Sequence, residues 1–388
     1  MTALSLSAHA SISELPAEEW DALFAHEPAR ASPFVRHAFL RALEESGSAS
    51  PRTGWRPRHL ALRRGGTLVA AAPAYLRGGS DGDFSRDWEW AAAAERAGIP
   101  YYPKLVLAVP FTPATGRRVL VAGGEDRRAL AAALLAGARR VAQDEGAHGL
   151  HVLFADAEEA RELEEVGLAL RVDFQYHWRN EGYASPEEFL ARFPSKRRNA
   201  LRRERAAPER QGIAIRTVRG DELSRDPEGW ARACYRLHRA STDRMVWGMR
   251  FVNLGFYERA LAWLPDAVEV VEARREGKLV GMAFNVAGPD RLYGRYWGCV
   301  ESHPFLHFNV ALYHSIDECI RRGTRVFEGG AGGEHKVARG FEPAETWSAH
   351  LHLDPRLDVA VRRHLADERE ERLVAVRRWR EEHPRLGG

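Results

Sequence analysis

Two stretches of the chain share one pattern of apolar and polar positions. Alternation marks strands at His59–Leu62 and Thr67–Ala72, joined through Arg63-Arg64-Gly65-Gly66. It returns at Ala267–Ala273 and Lys278–Val286, joined through Arg274-Arg275-Glu276-Gly277. Each hairpin is followed by a strand, a helix and a strand. In the first stretch the later elements are Gly149–Phe154, Glu158–Val166 and Leu168–Trp178. In the second, Thr324–Glu328 leads through a glycine loop and a short helix to an alternating run ending at His352. Helical spacing predicts Glu125–Glu145, alanine-rich with Leu130, Leu134 and Val141 on one side. It also predicts Phe308–Arg322 and a charged helix over Leu357–Glu382. Ser185-Pro186-Glu187-Glu188 is a capping box with proline at the first helical position, and the helix is expected to continue through Arg192–Arg205.

The repeated order predicts two copies of one α/β unit with mixed sheets, divided as residues 1–172 and 173–388. A hairpin ahead of strand, helix and strand is the order of an acyl-CoA N-acyltransferase (GNAT) unit, which the chain therefore resembles twice over.

Composition narrows the picture. A chain of 388 residues, 45% hydrophobic and 10% aromatic, can bury two cores. The net charge of +3 excludes a polycation, so any anionic partner must be argued from local patches. Nearly all the basic residues are arginine; the lysines are Lys104, Lys196, Lys278 and Lys336. Cys234, Cys299 and Cys319 are far apart, which argues for a reducing compartment and against a disulfide frame. No basic leader or long apolar run is present, so a cytoplasmic protein without a transmembrane segment is expected.

The densest chemistry lies in Phe327–His352. Gly329, Gly330, Gly332 and Gly333 are followed by Glu334, His335, Lys336 and Arg339. That places ionisable groups on permissive backbone at a strand end, where open α/β sheets hold ligands. His335 is a candidate general base because imidazole titrates near neutrality, with Glu334 its rival. Period two puts Tyr293, Arg295 and Trp297 on one strand face, where Arg295 between rings could hold a carboxylate or phosphate. His350 and His352 share another strand face. In the first half, Asp83, Asp87, Trp88 and Trp90 with Tyr101, Tyr102 and Lys104 form an aromatic–acidic group suited to an amine-bearing or sugar-like ligand. Arg192–Arg205 carries seven basic residues against one acid, Glu204, and could meet phosphates. No metal-ligand spacing, nucleophile elbow, Walker or Rossmann fingerprint is present.

These segments resemble the FemAB-like predicted N-acyltransferases of the GNAT superfamily, the peptidoglycan biosynthesis/recognition proteins. The residues that carry the likeness are Asp87-Trp88-x-Trp90 with Tyr101-Tyr102-Pro103-Lys104, and Gln175-Tyr176-His177-Trp178 with Arg203-Glu204-Arg205. Two further segments carry it: Tyr293-Gly294-Arg295-Tyr296-Trp297-Gly298 with Leu306-His307-Phe308, and Gly333-Glu334-His335-Lys336-x-x-Arg339-Gly340-Phe341 running on to His350. The resemblance implies a tandem GNAT fold and transfer of an acyl or aminoacyl group to a primary amine. The donor would be acyl-CoA or aminoacyl-tRNA as co-substrate, with no tightly bound cofactor, no metal and no DNA. The acceptor would be a small molecule or cell-wall precursor. Glu334, His335 and Lys336 are the expected catalytic residues. Trp88, Tyr101, Tyr102, Lys104, Tyr293, Arg295, Trp297, Arg339 and His350 are expected to bind substrate. Two departures stand out: Arg77-Gly78-Gly79-Ser80 replaces the family's Lys-x-His-Ser, and Asn309 replaces the usual Glu after Leu-His-Phe. They keep open the alternative of a non-catalytic module that recognises a cell-wall precursor or nucleotide-linked ligand.

Overall fold

The computed structural model describes residues 3–27, 30, 32–244, 249–330 and 332–382, with Glu334 described in its backbone only. Its contacts divide into two compact units. One comprises Met1–Phe174 and Glu345–Ala375, the other Gln175–Ala344 and Val376–Gly388. The expected cut between 172 and 173 therefore fails for residues 345–375, which return to the first unit. Sheet pairing is the reason: His352 to Trp347 run antiparallel to Gly149–Ala155.

In the first unit, Leu4–His9, His59–Arg64, Thr67–Ala72 and Leu120–Val121 form an antiparallel sheet in that order. Trp55–Pro57, Ala74–Arg77 and Lys104–Leu107 pair antiparallel in sequence, and Lys104–Leu107 runs parallel to Gly149–Ala155. The prolines around residues 101–113 hid the short strand Lys104–Leu107 from a reading of the sequence. The helix Arg127–Asp144 begins where the Asp126 carboxylate accepts the Ala129 N–H. Its Leu130, Leu134 and Leu135 enter a core with Leu60, Leu62, Leu105 and Val152. A second helix, Trp88–Arg96, buries Trp90 and Ala94, and the pattern did not foretell it.

In the second unit, Ile213–Arg219, Val268–Arg275, Lys278–Ala287 and Arg291–Cys299 form an antiparallel meander. Val326–Glu328 joins it in parallel and pairs antiparallel with residues 177–179 of the strand Ala169–Arg179. The two hairpins seen in the sequence share their geometry. Gly65 and Gly66 have φ of 56° and 88°, Glu276 and Gly277 of 50° and 74°. Positive φ at both central residues gives the turn whose twist matches the strands. The register also shifts at the equivalent step, between Leu62 and Arg63 and between Ala273 and Arg274.

Two helices depart from expectation. Pro194 interrupts the run after Ser185, so Pro186–Ala191 and Ser195–Arg205 are separate helices. The helix expected over Phe308–Arg322 starts at Leu306, passes through a π-helical stretch, Asn309–Tyr313, and resumes as His314–Arg322. No helix among the described residues is long and apolar enough to cross a membrane.

One glycine holds the second unit's helix against its sheet. A Cβ at Gly298 would overlap the backbone of Leu237 and His238 in the helix Pro227–Thr242. Neither partner is a flexible side-chain tip, so the helix itself would have to move. Gly298→Ala is expected to destabilise the second unit by at least about 1–3 kcal/mol, read as a fall in the denaturant midpoint.

Candidate active site

The strands Arg291–Cys299 and Val326–Glu328 pair for three rows only: Arg291 with Val326, Leu292 with Phe327, and Tyr293 with Glu328. Beyond Tyr293 the first strand continues to Cys299, while the second gives way to the glycine loop. The edge Gly294–Cys299 has no neighbouring strand on that side among the described residues. Opposite, the pairing with Lys278–Ala287 slips one residue: Asn285 faces Gly294, and Phe284 faces Tyr296. Arg295 is thus the extra residue of a β-bulge. This corrects the expectation that Tyr293, Arg295 and Trp297 share a face. The bulge reverses the alternation, so Tyr296 packs on Tyr257 and Phe284 while Trp297 packs with His307 on the other side. Tyr293 lies opposite Val286 and is buried. The Arg295 guanidinium lies 5.7 Å from the Tyr296 ring centre.

The loop closes with a 3₁₀ turn, Glu334–Arg339. Gly340 ends it with φ of 87°, and a Cβ there would meet the Phe189 ring at 2.6 Å. Lys336 is 4% exposed, and its Nζ donates to the carbonyls of Gly330 and Gly332, both at 2.7 Å. Burial lowers its ammonium to about 8. Arg339 stacks 3.5 Å over the Phe308 ring, donates to the His335 carbonyl at 2.8 Å and to Glu204 Oε2 at 2.8 Å. The Glu204 carboxylate also accepts from the Tyr313 hydroxyl and lies 3.4 Å from Arg197. Lys336 and Arg339 thus fix the loop from inside, while Arg339 Nε has no hydrogen-bond partner among the described residues.

His335 is exposed near the head of the same turn, its ring 5.5 Å from Phe308 and 6.3 Å from His307, which in turn lies 5.1 Å from Trp297. Partial burial, then the charges of Lys336 and Arg339, lower the His335 imidazole below its ordinary value. It is neutral at pH 7 and able to accept a proton. His307, more deeply buried, is lowered to about 4. The Glu334 side chain lies outside the described residues.

Glu204 was not among the expected site residues. The signal was present: it is the one acid in a basic run, and its burial among arginines gives that isolation a use. Asn309 is equally specific. Its amide donates to the carbonyls of Glu204 and Phe305, each at 2.9 Å, from a 5%-exposed position. Two acceptors face this side chain, so a carboxylate fits badly. Asn309→Asp should lose about 1–3 kcal/mol of stability at neutral pH, with the deficit shrinking as acid protonates the new carboxyl; urea unfolding at two pH values checks it.

The residues expected to bind substrate in the first unit form a different kind of cluster. Lys104 is fully buried, pairing with Asp83 at 2.9 Å and Asp87 at 2.5 Å and donating to Ser80 at 2.7 Å. Tyr101 donates to Asp87 at 2.6 Å, and Tyr102 shares a 2.7 Å hydrogen bond with Ser80. His350 is fully buried, with Nδ1 2.7 Å from His151 Nδ1. Trp88, by contrast, is 57% exposed and outside this network.

The element order of both units and the interrupted strand pairing define a tandem GNAT-like α/β protein. The chain belongs to the FemAB-like family, described as peptidoglycan biosynthesis/recognition, whose sequence profile matches residues 11–385. No curated protein sequence matches it. Among solved structures, FemX is similar at 12% identity and a TM-score of 0.55, over 90% of this chain and 98% of that one. The C-terminal domain of a putative lysylphosphatidylglycerol synthetase from Agrobacterium fabrum is similar at 11% identity and 0.52, over 89% and 95%. A tandem GNAT protein from the clavulanic acid pathway matches at 14% identity and 0.47, over 91% and 99%.

Proposed function

We propose that the protein is an N-acyltransferase that moves an acyl or aminoacyl group from an activated donor to a primary amine. The parting of the strands beyond Tyr293, directly beside the His335 loop, carries this reading. An extended, amide-bearing donor arm can add to the open edge Gly294–Cys299 through backbone hydrogen bonds. Its reactive carbonyl then lies near the loop, where neutral His335 takes the proton of the attacking amine as the amide bond forms, and passes it to the thiol or tRNA hydroxyl that leaves as the donor's thioester or ester bond breaks. Lys336 and Arg339 are positioning residues that keep the loop closed around that imidazole, and Trp297 with His307 forms an aromatic wall beside it. Glu334, at the start of the same turn, is the alternative base.

The family description favours an acceptor drawn from cell-wall precursors, and the likeness to FemX and to a lysylphosphatidylglycerol synthetase fits a group-transfer role. The donor is acyl-CoA or aminoacyl-tRNA. The reading of a non-catalytic binding module draws support from Asn309, whose amide is committed to two backbone carbonyls. The test incubates the purified chain with acetyl-CoA, or with charged tRNA, and an amine-bearing muramyl peptide, and follows the new amide by mass spectrometry. Transfer from either donor supports the enzyme; precursor binding with no transfer from either supports the module.

A further inference from the structure

The first unit holds an open pocket that the proposed reaction does not use. Phe84, Phe154 and Trp347 form its apolar walls, and Arg171, Asp173 and Ser348 lie on its polar side. Backbone strain gathers around it. Six described residues other than glycine hold positive φ, and three of them belong to this pocket or its rim: Phe84 at 58°, Arg86 at 52° and Phe154 at 59°. Side chains seldom adopt that conformation. It persists where the surrounding structure over-determines it, commonly at ligand sites.

The charges around the pocket do not cancel. Arg171 donates to both oxygens of Glu368, at 2.9 and 3.0 Å, and to the carbonyls of Ser85 and Arg86 at 2.8 and 3.1 Å. Arg86 pairs with Asp173 at 3.0 Å. Arg372 reaches the same two carboxylates, Asp173 at 3.1 Å and Glu368 at 3.4 Å. Three guanidinium groups thus share two carboxylates. Arg369 stands 5.3 Å over the Trp347 ring and pairs with Glu164 at 2.8 Å, which adds no net charge. One positive charge remains in excess among these groups. Arg171 is largely committed, whereas Arg86 spends only Nη1 on Asp173, which leaves its other N–H groups for a ligand.

A hydroxyl completes the polar side. Ser348 Oγ lies 2.8 Å from His350 Nε2, and His350 Nδ1 lies 2.7 Å from His151 Nδ1. Both imidazoles are buried, and burial keeps them neutral. Only one proton fits between the two Nδ1 atoms. If His350 supplied it, His151 would carry its other proton on Nε2, which has no protein partner among the described residues. An unpaired acceptor is the cheaper defect, so His151 supplies the proton and His350 donates through Nε2 to Ser348. The Ser348 hydroxyl hydrogen is then available to an anion in the pocket.

We propose that this pocket is a binding site for a monocarboxylate with a flat apolar body. One carboxylate matches the single excess charge and accepts from Ser348 and from the N–H groups of Arg86. The body lies against Phe84, Phe154 and Trp347. A phosphate monoester, at about −2 near neutral pH, brings more charge than these groups offset. The site goes beyond the transfer reaction assigned to the second unit and does not depend on it.

The test titrates the full chain with benzoate, with benzamide as its neutral isostere and with phenyl phosphate as the dianion, by saturation-transfer NMR and calorimetry. Benzoate is expected to bind most tightly of the three, and benzamide about tenfold more weakly. Arg86→Gln removes the excess charge and should bring benzoate down to the affinity of benzamide, which should itself hold. Asp173 keeps Arg372 as a partner in that variant, so the fold is expected to stand. Phe84→Gly tests the wall independently of charge, because glycine adopts the same φ without strain. It should weaken benzoate and benzamide alike, on the order of tenfold, while the melting temperature holds. Failure of benzoate to bind at millimolar concentration, equal or tighter binding of benzamide or phenyl phosphate, or full benzoate affinity in either folded variant overturns the proposal.

Discussion

Lys104→Met is expected to destabilise the first unit by about 3–5 kcal/mol, the usual result of removing one partner from a buried ion pair. The side chain is replaced at nearly constant length, so little packing is lost. What is lost is the ammonium that compensates Asp83 and Asp87 in a site with no measurable exposure. The pH dependence separates charge from packing. Although burial pushes the Asp87 carboxyl up, the Lys104 charge more than offsets it and holds the group well below the usual carboxylate range. A carboxyl depressed in the fold contributes stability above its unfolded value, and that contribution disappears as pH falls through the folded value. In the variant the carboxyls lose their partner and protonate more readily. The difference between wild type and variant, measured by urea unfolding, should therefore be full at pH 7 and shrink towards pH 4. A pH-independent loss would mean that packing, rather than charge, is responsible.

His335→Ala should lower kcat/KM for amide formation by about 10²–10⁴-fold, the range for loss of a positioned general base. His335 is exposed and contributes little to the core, so the variant should unfold at the wild-type denaturant concentration. The wild-type rate should fall on the acid side with a midpoint below the ordinary imidazole value. Partial burial sets that direction first, and the charges of Lys336 and Arg339 add to it, since positive neighbours disfavour a second cation. Removing the Arg339 charge should move the midpoint up towards the ordinary value. A rate that persists in His335→Ala with an unchanged acid limb would assign the proton to another group, Glu334 first.

The sequence by itself determined the repeat. The two hairpins were legible because a turn with two positive-φ residues demands particular residues, and Gly65-Gly66 and Glu276-Gly277 meet that demand locally. The alanine-rich helix with Leu130 and Leu134 on one side was equally legible, because its period is written within a few turns. The glycine loop and its Glu-His-Lys group stood out for the same local reason.

Only the tertiary structure decided what those groups do. Lys104 and Lys336 looked alike as scarce lysines. One is held between two buried aspartates, and the other donates to loop carbonyls. The aspartates fall at no helix or strand spacing from Lys104, while the carbonyls that Lys336 meets belong to its own loop, whose folded path decides the contact. Arg295 lost its place in the alternation because a bulge is set by cross-strand pairing, which no single strand records. His350 proved to be buried, its ring committed to His151 and Ser348. Residues 345–375 fall in the first unit because Trp347–His352 pairs with Gly149–Ala155, and such long-range pairing is fixed by the fold as a whole rather than by any local pattern.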